Sequence, residues 1–174
     1  MKVILLGYMG SGKSTISNIL AGKLGIDTLD LDDYISKKES DSISNIFKNK
    51  GEIYFRLKEN TYLNELLNSE RSFVLALGGG TPCYANNIDL IKSMSISIYL
   101  KANINTLFNR LEKETANRPI ISDLNDDKLI EFIAKHLFER APFYEQADHI
   151  ISIDNKSIDQ IVDEIYQMEQ LRKL

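Results

Sequence analysis

The stretch "GYMGSGKST", residues 7–15, carries the spacing G-x-x-x-x-G-K-[ST] from Gly7 to Ser14. That spacing builds a cradle for phosphate. Glycines let successive backbone N–H groups curl around phosphate oxygens, and the helix that follows adds the positive end of its dipole. Gly10, Ser11, Gly12, Lys13, Ser14 and Thr15 are the expected nucleotide-binding residues. Lys13 reaches the β- and γ-phosphates, and the Ser14 hydroxyl ligates Mg²⁺. The motif falls between the apolar run Val3–Leu6 and a helical stretch, the context its chemistry requires, so the chain is expected to bind ATP or GTP.

A site of this kind usually takes a carboxylate for the metal's hydration shell, an Asp from a second strand. "LDLDD", residues 29–33, offers Asp30, Asp32 and Asp33. Alternation along an extended strand puts Asp30 and Asp32 on the same side. Two carboxylates so placed repel unless a cation or hydroxyl donor separates them, so one can face the metal and the other a substrate. Asp32 or Asp33 could instead cap the helix starting near "YISKK". Asp154, after the run Ile150–Ile153, is a further candidate for the metal.

The cations are unevenly distributed. There are fifteen lysines and six arginines, Arg56, Arg71, Arg110, Arg118, Arg140 and Arg172. Lysine supplies general surface charge here, whereas the planar fork of arginine suits bidentate contacts to carboxylate or phosphate. Arg71 and Arg172 read as ordinary surface charge. Arg56 could also form an i, i+4 pair with Glu52, worth about 0.2–0.5 kcal/mol, and Arg140 could lie exposed where its helix ends at Pro142. In "LALGGGTPCY", residues 75–84, three glycines follow an apolar run. Without Cβ atoms, Gly78, Gly79 and Gly80 let main-chain groups approach a ligand directly; the other reading is a turn at a strand end.

The elements that must position these residues follow from periodicity. Short apolar runs at Val3–Leu6, Thr28–Leu31, Phe73–Leu77, Ile96–Leu100 and Ile150–Ile153 alternate with helical patterns, such as Leu129, Phe132, Ile133 and Leu137. Alternating strands and helices imply an α/β fold with a five-stranded parallel sheet and helices on both faces, in three layers. Ligands of such sheets bind beyond the carboxyl ends of the strands. With 174 residues, 43% hydrophobic and 26% charged, the chain is expected to form a single domain. A net charge of −4 with no basic stripe speaks against a nucleic-acid partner. No apolar run approaches the roughly 20 residues needed to span a bilayer. The N-terminal run is too brief for a signal peptide, and one cysteine, Cys83, fits a reducing cytoplasm. His136 and His149 read as structural residues.

Together, "GYMGSGKST", "DLDDYI", "GEIYFR", "LGGGTP", "NRPI" and "ERAPFY" resemble, in order and spacing, the shikimate kinase family, and the resemblance covers essentially the whole chain. It implies a P-loop fold like that of nucleoside monophosphate kinases, acting as a monomer and closed by a mobile lid at about residues 112–126. It also implies transfer of the γ-phosphate of ATP to the 3-hydroxyl of shikimate, with Mg²⁺, in aromatic amino acid biosynthesis. Asp32 matches the acceptor of the substrate hydroxyl, and Asp30 the residue that reaches Mg²⁺ through water. Arg56 and Arg140 match the carboxylate-binding arginines, and Gly78, Gly79 and Gly80 part of the shikimate site; the substrate-binding region is expected at about residues 32–60. Arg118 matches a lid residue that stabilises the transferring phosphoryl, and Arg110 a position that stacks on adenine. Lys13, Asp32 and Arg118 are thus the expected catalytic residues. "TPCY" departs locally from the family pattern, so Thr81 receives no role. Two rivals share the cradle. Against another small-molecule P-loop kinase, such as a gluconate kinase, the paired arginines with the glycine triple favour a cyclic carboxylate. Against a nucleotide-binding regulatory module stand Asp32, Arg118 and the lid, since a pure sensor needs no acceptor site.

Overall fold

Along Lys2–Leu6 (β1), Val3 and Leu5 bury into one hydrophobic cluster and Ile4 and Leu6 into another. A strand apolar on both sides belongs inside a parallel sheet covered on both faces. The computed structural model, which describes residues 1–113, 121–122 and 124–172, with side chains through Met168, has that arrangement. Strands β2 (Asp27–Asp30), β3 (Phe73–Ala76), β4 (Ile96–Lys101) and β5 (His149–Ser152) join β1 in the order β2-β3-β1-β4-β5, all parallel.

Helices α1 (Lys13–Leu24), α5 (Ile104–Leu111), α6 (Asp126–Tyr144) and α7 (Ile158–Arg172) contribute to the cluster on one side. Helices α2 (Leu31–Glu39), α3 (Ile43–Asn68) and α4 (Asn87–Met94) supply the cluster on the other. The expected three-layer α/β architecture is therefore present. Among the described residues no helix is long and apolar enough to cross a membrane.

Two of the boundaries that differ from expectation do so for a clear local reason. The run Thr28–Leu31 does not continue as strand to Leu31, because the Asp30 side chain accepts the N–H groups of Asp32 and Asp33 and starts α2 at Leu31. Helix α6 passes through Pro142 and ends at Tyr144. In the last turn a proline forfeits only one intrahelical bond, and the N–H of Glu145 still reaches the carbonyl of Ala141 at 2.8 Å. Helix α3 is also broken, at Gly51, where φ is 81°. A Cβ there would meet nothing within 4 Å, so Gly51 is needed for its left-handed backbone and not for space.

Candidate active site

At the carboxyl end of β1 the chain turns through Gly7–Gly12 into α1. Gly12, the N-cap of α1, takes a left-handed conformation with φ 89°. The loop is braced from within and without. Ser11 N–H donates to the carbonyl of Tyr8 at 3.2 Å. The ammonium of Lys13 folds back onto the carbonyls of Gly7 and Tyr8 at 2.8 and 2.9 Å. Arg110, from the last turn of α5, donates through Nη1 to the carbonyl of Gly10 at 3.0 Å. Sequence spacing gave no reason to expect that contact, which brings the Arg110 guanidinium to the rim of the cradle.

A cleft of about 510 Å³ opens over this loop and is lined by Met9–Ile16, Asp30, Asp32, Leu77–Gly79, Arg110, Ile158 and Ile161. The phosphate cradle, both carboxylates and the start of the glycine triple thus share one space. Asp30 stands at the end of β2, and its Oδ2 accepts the hydroxyl of Ser14 at 3.2 Å. A hydroxyl and a carboxylate oxygen brought together beside a phosphate cradle form a hard, all-oxygen donor set of the kind that suits Mg²⁺.

Asp32 is not on the strand's pleat as alternation suggested; it sits in the first turn of α2 and still converges with Asp30, because Asp30 caps that turn. Burial pushes the Asp32 carboxyl up to about 6, helped by the neighbouring carboxylates of Asp30 and Glu59 and opposed by Lys13 and Arg56. Asp33 is exposed, and its N–H is the second one that Asp30 receives, at 3.5 Å. Asp154, the other candidate for the metal, is engaged elsewhere: it accepts the N–H of Asn103 at 3.1 and 3.2 Å.

The glycine triple follows β3, and all three members are tight. An ideal Cβ on Gly78 would lie 3.2 Å from Oδ1 of Asp32, one on Gly79 3.3 Å from Nη1 of Arg140, and one on Gly80 2.7 Å from Nη2 of Arg56. The Gly79 position is also 3.7 Å from the carbonyl of Gly7, so the triple borders the phosphate loop directly. None of the three has the left-handed φ that would require glycine for its backbone. A Cβ on any of them would crowd a neighbouring side chain: Asp32 and Thr81 at Gly78, Arg140 and Tyr144 at Gly79, and Arg56 at Gly80.

Arg56 and Arg140 arrive from α3 and α6. Arg56 lies against the ring of Tyr84, with Cζ 4.2 Å from its centroid, and donates through Nη1 to Glu59 at 2.9 Å and through Nε and Nη2 to Glu52 at 3.4 Å. The expected pair with Glu52 exists, but the stronger hold comes from the buried Glu59. Arg140 lies over the Tyr8 ring at 5.7 Å and one helical turn before Tyr144, whose hydroxyl donates to the carbonyl of Gly79. His136, also on α6, meets the Tyr8 hydroxyl at 3.3 Å; burial first, then the charge of Arg140, lowers its affinity for a proton.

Glu59, Thr81, Tyr8 and Tyr84 were not marked by the sequence. For Glu59 a signal exists. Phe55, Glu59, Leu63 and Leu67 stand four residues apart on one buried stripe of α3, and a carboxylate in such a stripe needs a partner. Arg118 and most of the expected lid lie outside the described residues. Within that segment, Ile121 is fully buried in the cluster with α5 and α6.

The family model of shikimate kinases matches residues 9–170 of the chain. A shikimate kinase of Flavobacterium johnsoniae is 48% identical over 165 residues, covering 94% of this chain and 96% of that one. A shikimate kinase of Bacteroides fragilis is 35% identical over 175 residues, covering all of this chain and 97% of its own length. Among solved structures, that of shikimate kinase from Bacteroides thetaiotaomicron superposes with a TM-score of 0.90 at 33% identity, covering 98% of each chain. Shikimate kinase from Acinetobacter baumannii, solved in complex with shikimate, gives 0.87 at 32% identity, covering 99% of this chain and 94% of the other.

Proposed function

The chain belongs to the shikimate kinase family and phosphorylates shikimate with ATP, and on that premise we propose which of its residues perform each part of the reaction. The observation that carries the assignment is the pairing of each glycine of the triple with one side chain of the site, beside the loop at 7–14.

The amides of Gly10–Thr15 and the N-terminus of α1 hold the phosphates of ATP. Lys13 exchanges its two loop carbonyls for the β- and γ-phosphate oxygens, gaining charge-assisted bonds. Ser14 directly, and Asp30 through water, would hold Mg²⁺, which when bound neutralises charge on the phosphates. Arg110 flanks the nucleotide from the rim. Arg118 is the lid's contribution to the transferring phosphoryl group.

Arg56 and Arg140 grip the carboxylate of shikimate, each fork able to make two parallel bonds. Gly78, Gly79 and Gly80 leave room for the ring against bare main chain. Asp32 accepts the attacking 3-hydroxyl. A carboxyl already raised to about 6 is ionised at neutral pH and is a better proton acceptor than an ordinary aspartate. Most of the acceleration comes from positioning two reactants and offsetting phosphoryl charge.

The same reading makes the chain a single kinase domain, with residues 32–60 as substrate-binding region and 112–126 as lid. It works as a cytoplasmic monomer without nucleic-acid or membrane partner; the net charge of −4 supports the exclusion of nucleic acid. A coupled assay of ADP release tests the reading. Shikimate should drive turnover while gluconate and nucleoside monophosphates do not; equal turnover with gluconate would overturn the assignment of the two arginines.

A further inference from the structure

Behind Arg56 lies a chain of buried polar groups. Glu59, 1% exposed, divides its two carboxylate oxygens. Oε2 accepts Nη1 of Arg56 at 2.9 Å, and Oε1 accepts the hydroxyl of Thr81 at 2.7 Å. Thr81 is fully buried and opens the 3-10 turn that follows the glycine triple. Its carbonyl accepts Nδ2 of Asn87 at 2.8 Å, and Oδ1 of Asn87, also fully buried, accepts Nδ2 of Asn60 at 2.7 Å. Thr81 is therefore fixed at its main chain and its side chain alike.

We propose that Thr81 is a positioning residue for shikimate binding: its hydroxyl holds the Glu59 carboxylate in the one orientation that fastens the Arg56 guanidinium beneath Gly80. A buried carboxylate needs donors for both oxygens. A cation in place of the hydroxyl would compete with Arg56 for the charge of Glu59. A neutral donor satisfies the second oxygen and leaves that charge to Arg56. The position of Thr81 suits this task, because the segment that supplies the bare main chain also sets the cation facing it. Movement of Glu59 would let the Arg56 fork turn, and the entropy of re-ordering it would fall on substrate binding.

The inference rests on the reading of Arg56 as a ligand of the shikimate carboxylate, and the experiment separates the two. Steady-state kinetics and calorimetric shikimate titrations are run on Thr81→Val, Thr81→Ala, Thr81→Ser, Arg56→Ala and the Thr81→Val/Arg56→Ala double variant. Loss of the hydroxyl in the Val and Ala variants should raise KM and Kd for shikimate about tenfold, the scale of one lost bond to a charged group, with KM for ATP unchanged. Thr81→Ser should restore both constants to within about twofold. On the Arg56→Ala background, Thr81→Val should add nothing, since no fork is left to position. Should the Val variant fail to fold, the Ala and Ser pair makes the same comparison. Parental shikimate affinity in Thr81→Ala alongside a defect in Arg56→Ala overturns the role of Thr81. So does a defect that Ser fails to rescue, or an equal loss for both substrates. Parental affinity in Arg56→Ala overturns the reading beneath and this inference with it.

Discussion

The backbone N–H of Asp32 donates to Oδ1 of Asp30 at 3.0 Å, so a helix cap fastens the two carboxylates together at the mouth of the cleft. The cap has two effects. It spends one oxygen of Asp30 on the start of α2 and leaves Oδ2 to Ser14. It also places Asp32 in the first turn of α2, close enough to the Asp30 and Glu59 carboxylates for them to add to the burial of its carboxyl that lifts its pKa to about 6.

From that value follows the pH profile. Above about 6 Asp32 is ionised and accepts the hydroxyl's proton; below it the carboxyl is already protonated. We expect kcat/KM for shikimate to fall tenfold per pH unit on the acid side of a bend near 6. Asp32→Asn should lower kcat by about 10²–10⁴-fold with KM for ATP unchanged. A loss confined to ATP affinity would move Asp32 to the nucleotide.

The same shift sets a stability trend of opposite sense to activity. A carboxyl whose pKa is raised on folding favours the folded state in its protonated form. Its contribution is fully present below the unfolded value near 3.8 and is lost as pH rises through about 6. At pH 8 Asp32→Asn should therefore unfold at a higher temperature than the parent, by a few degrees for about 1–2 kcal/mol. Melting curves at pH 8 and pH 4 should show the gap narrowing at the lower pH.

Ser14 and Asp30 should act as one unit toward Mg²⁺. Asp30→Asn keeps a good N-cap for α2, so the variant should melt like the parent. It should nevertheless need about tenfold more Mg²⁺ for half-maximal activity, as should Ser14→Ala, read from Mg²⁺ titrations at saturating ATP and shikimate. Unchanged Mg²⁺ requirements in both would detach the metal from this pair.

Arg140→Lys conserves charge but removes the fork. Shikimate KM should rise at least about tenfold while KM for ATP stays put, because an ammonium cannot offer two parallel donors to one carboxylate. Equal shikimate affinity would show that charge alone suffices there.

Local rules carried much of this architecture into the sequence. The loop at 7–15 is legible because its function constrains the backbone itself, and the inner strands β1, β3 and β4 because burial on both faces leaves nearly unbroken apolar runs. Asp30 and Asp32 were rightly paired but for the wrong geometry, since pleat alternation and helix capping both bring residues two apart together. What was illegible depends on contacts distant along the chain. Arg110 on the Gly10 carbonyl spans a hundred residues, and the bond from Thr81 to Glu59 joins two elements that only the folded sheet brings into contact. The glycine triple stood between the two cases. Its composition suggested either a turn or a close approach, and only the side chains pressing on it decide which.

Gly80 puts that decision to experiment most directly. Its φ of −89° and ψ of −18° are comfortable for alanine, so if the triple served only as a turn, Gly80→Ala would be neutral or slightly stabilising. A Cβ at 2.7 Å from Nη2 must instead displace the Arg56 guanidinium. Steady-state kinetics of Gly80→Ala should show shikimate kcat/KM reduced more than about tenfold, with KM for ATP unchanged. A Gly80→Ala enzyme that phosphorylates shikimate with the parent's kcat/KM would contradict the claim that bare main chain and forked cations form the acid-binding site.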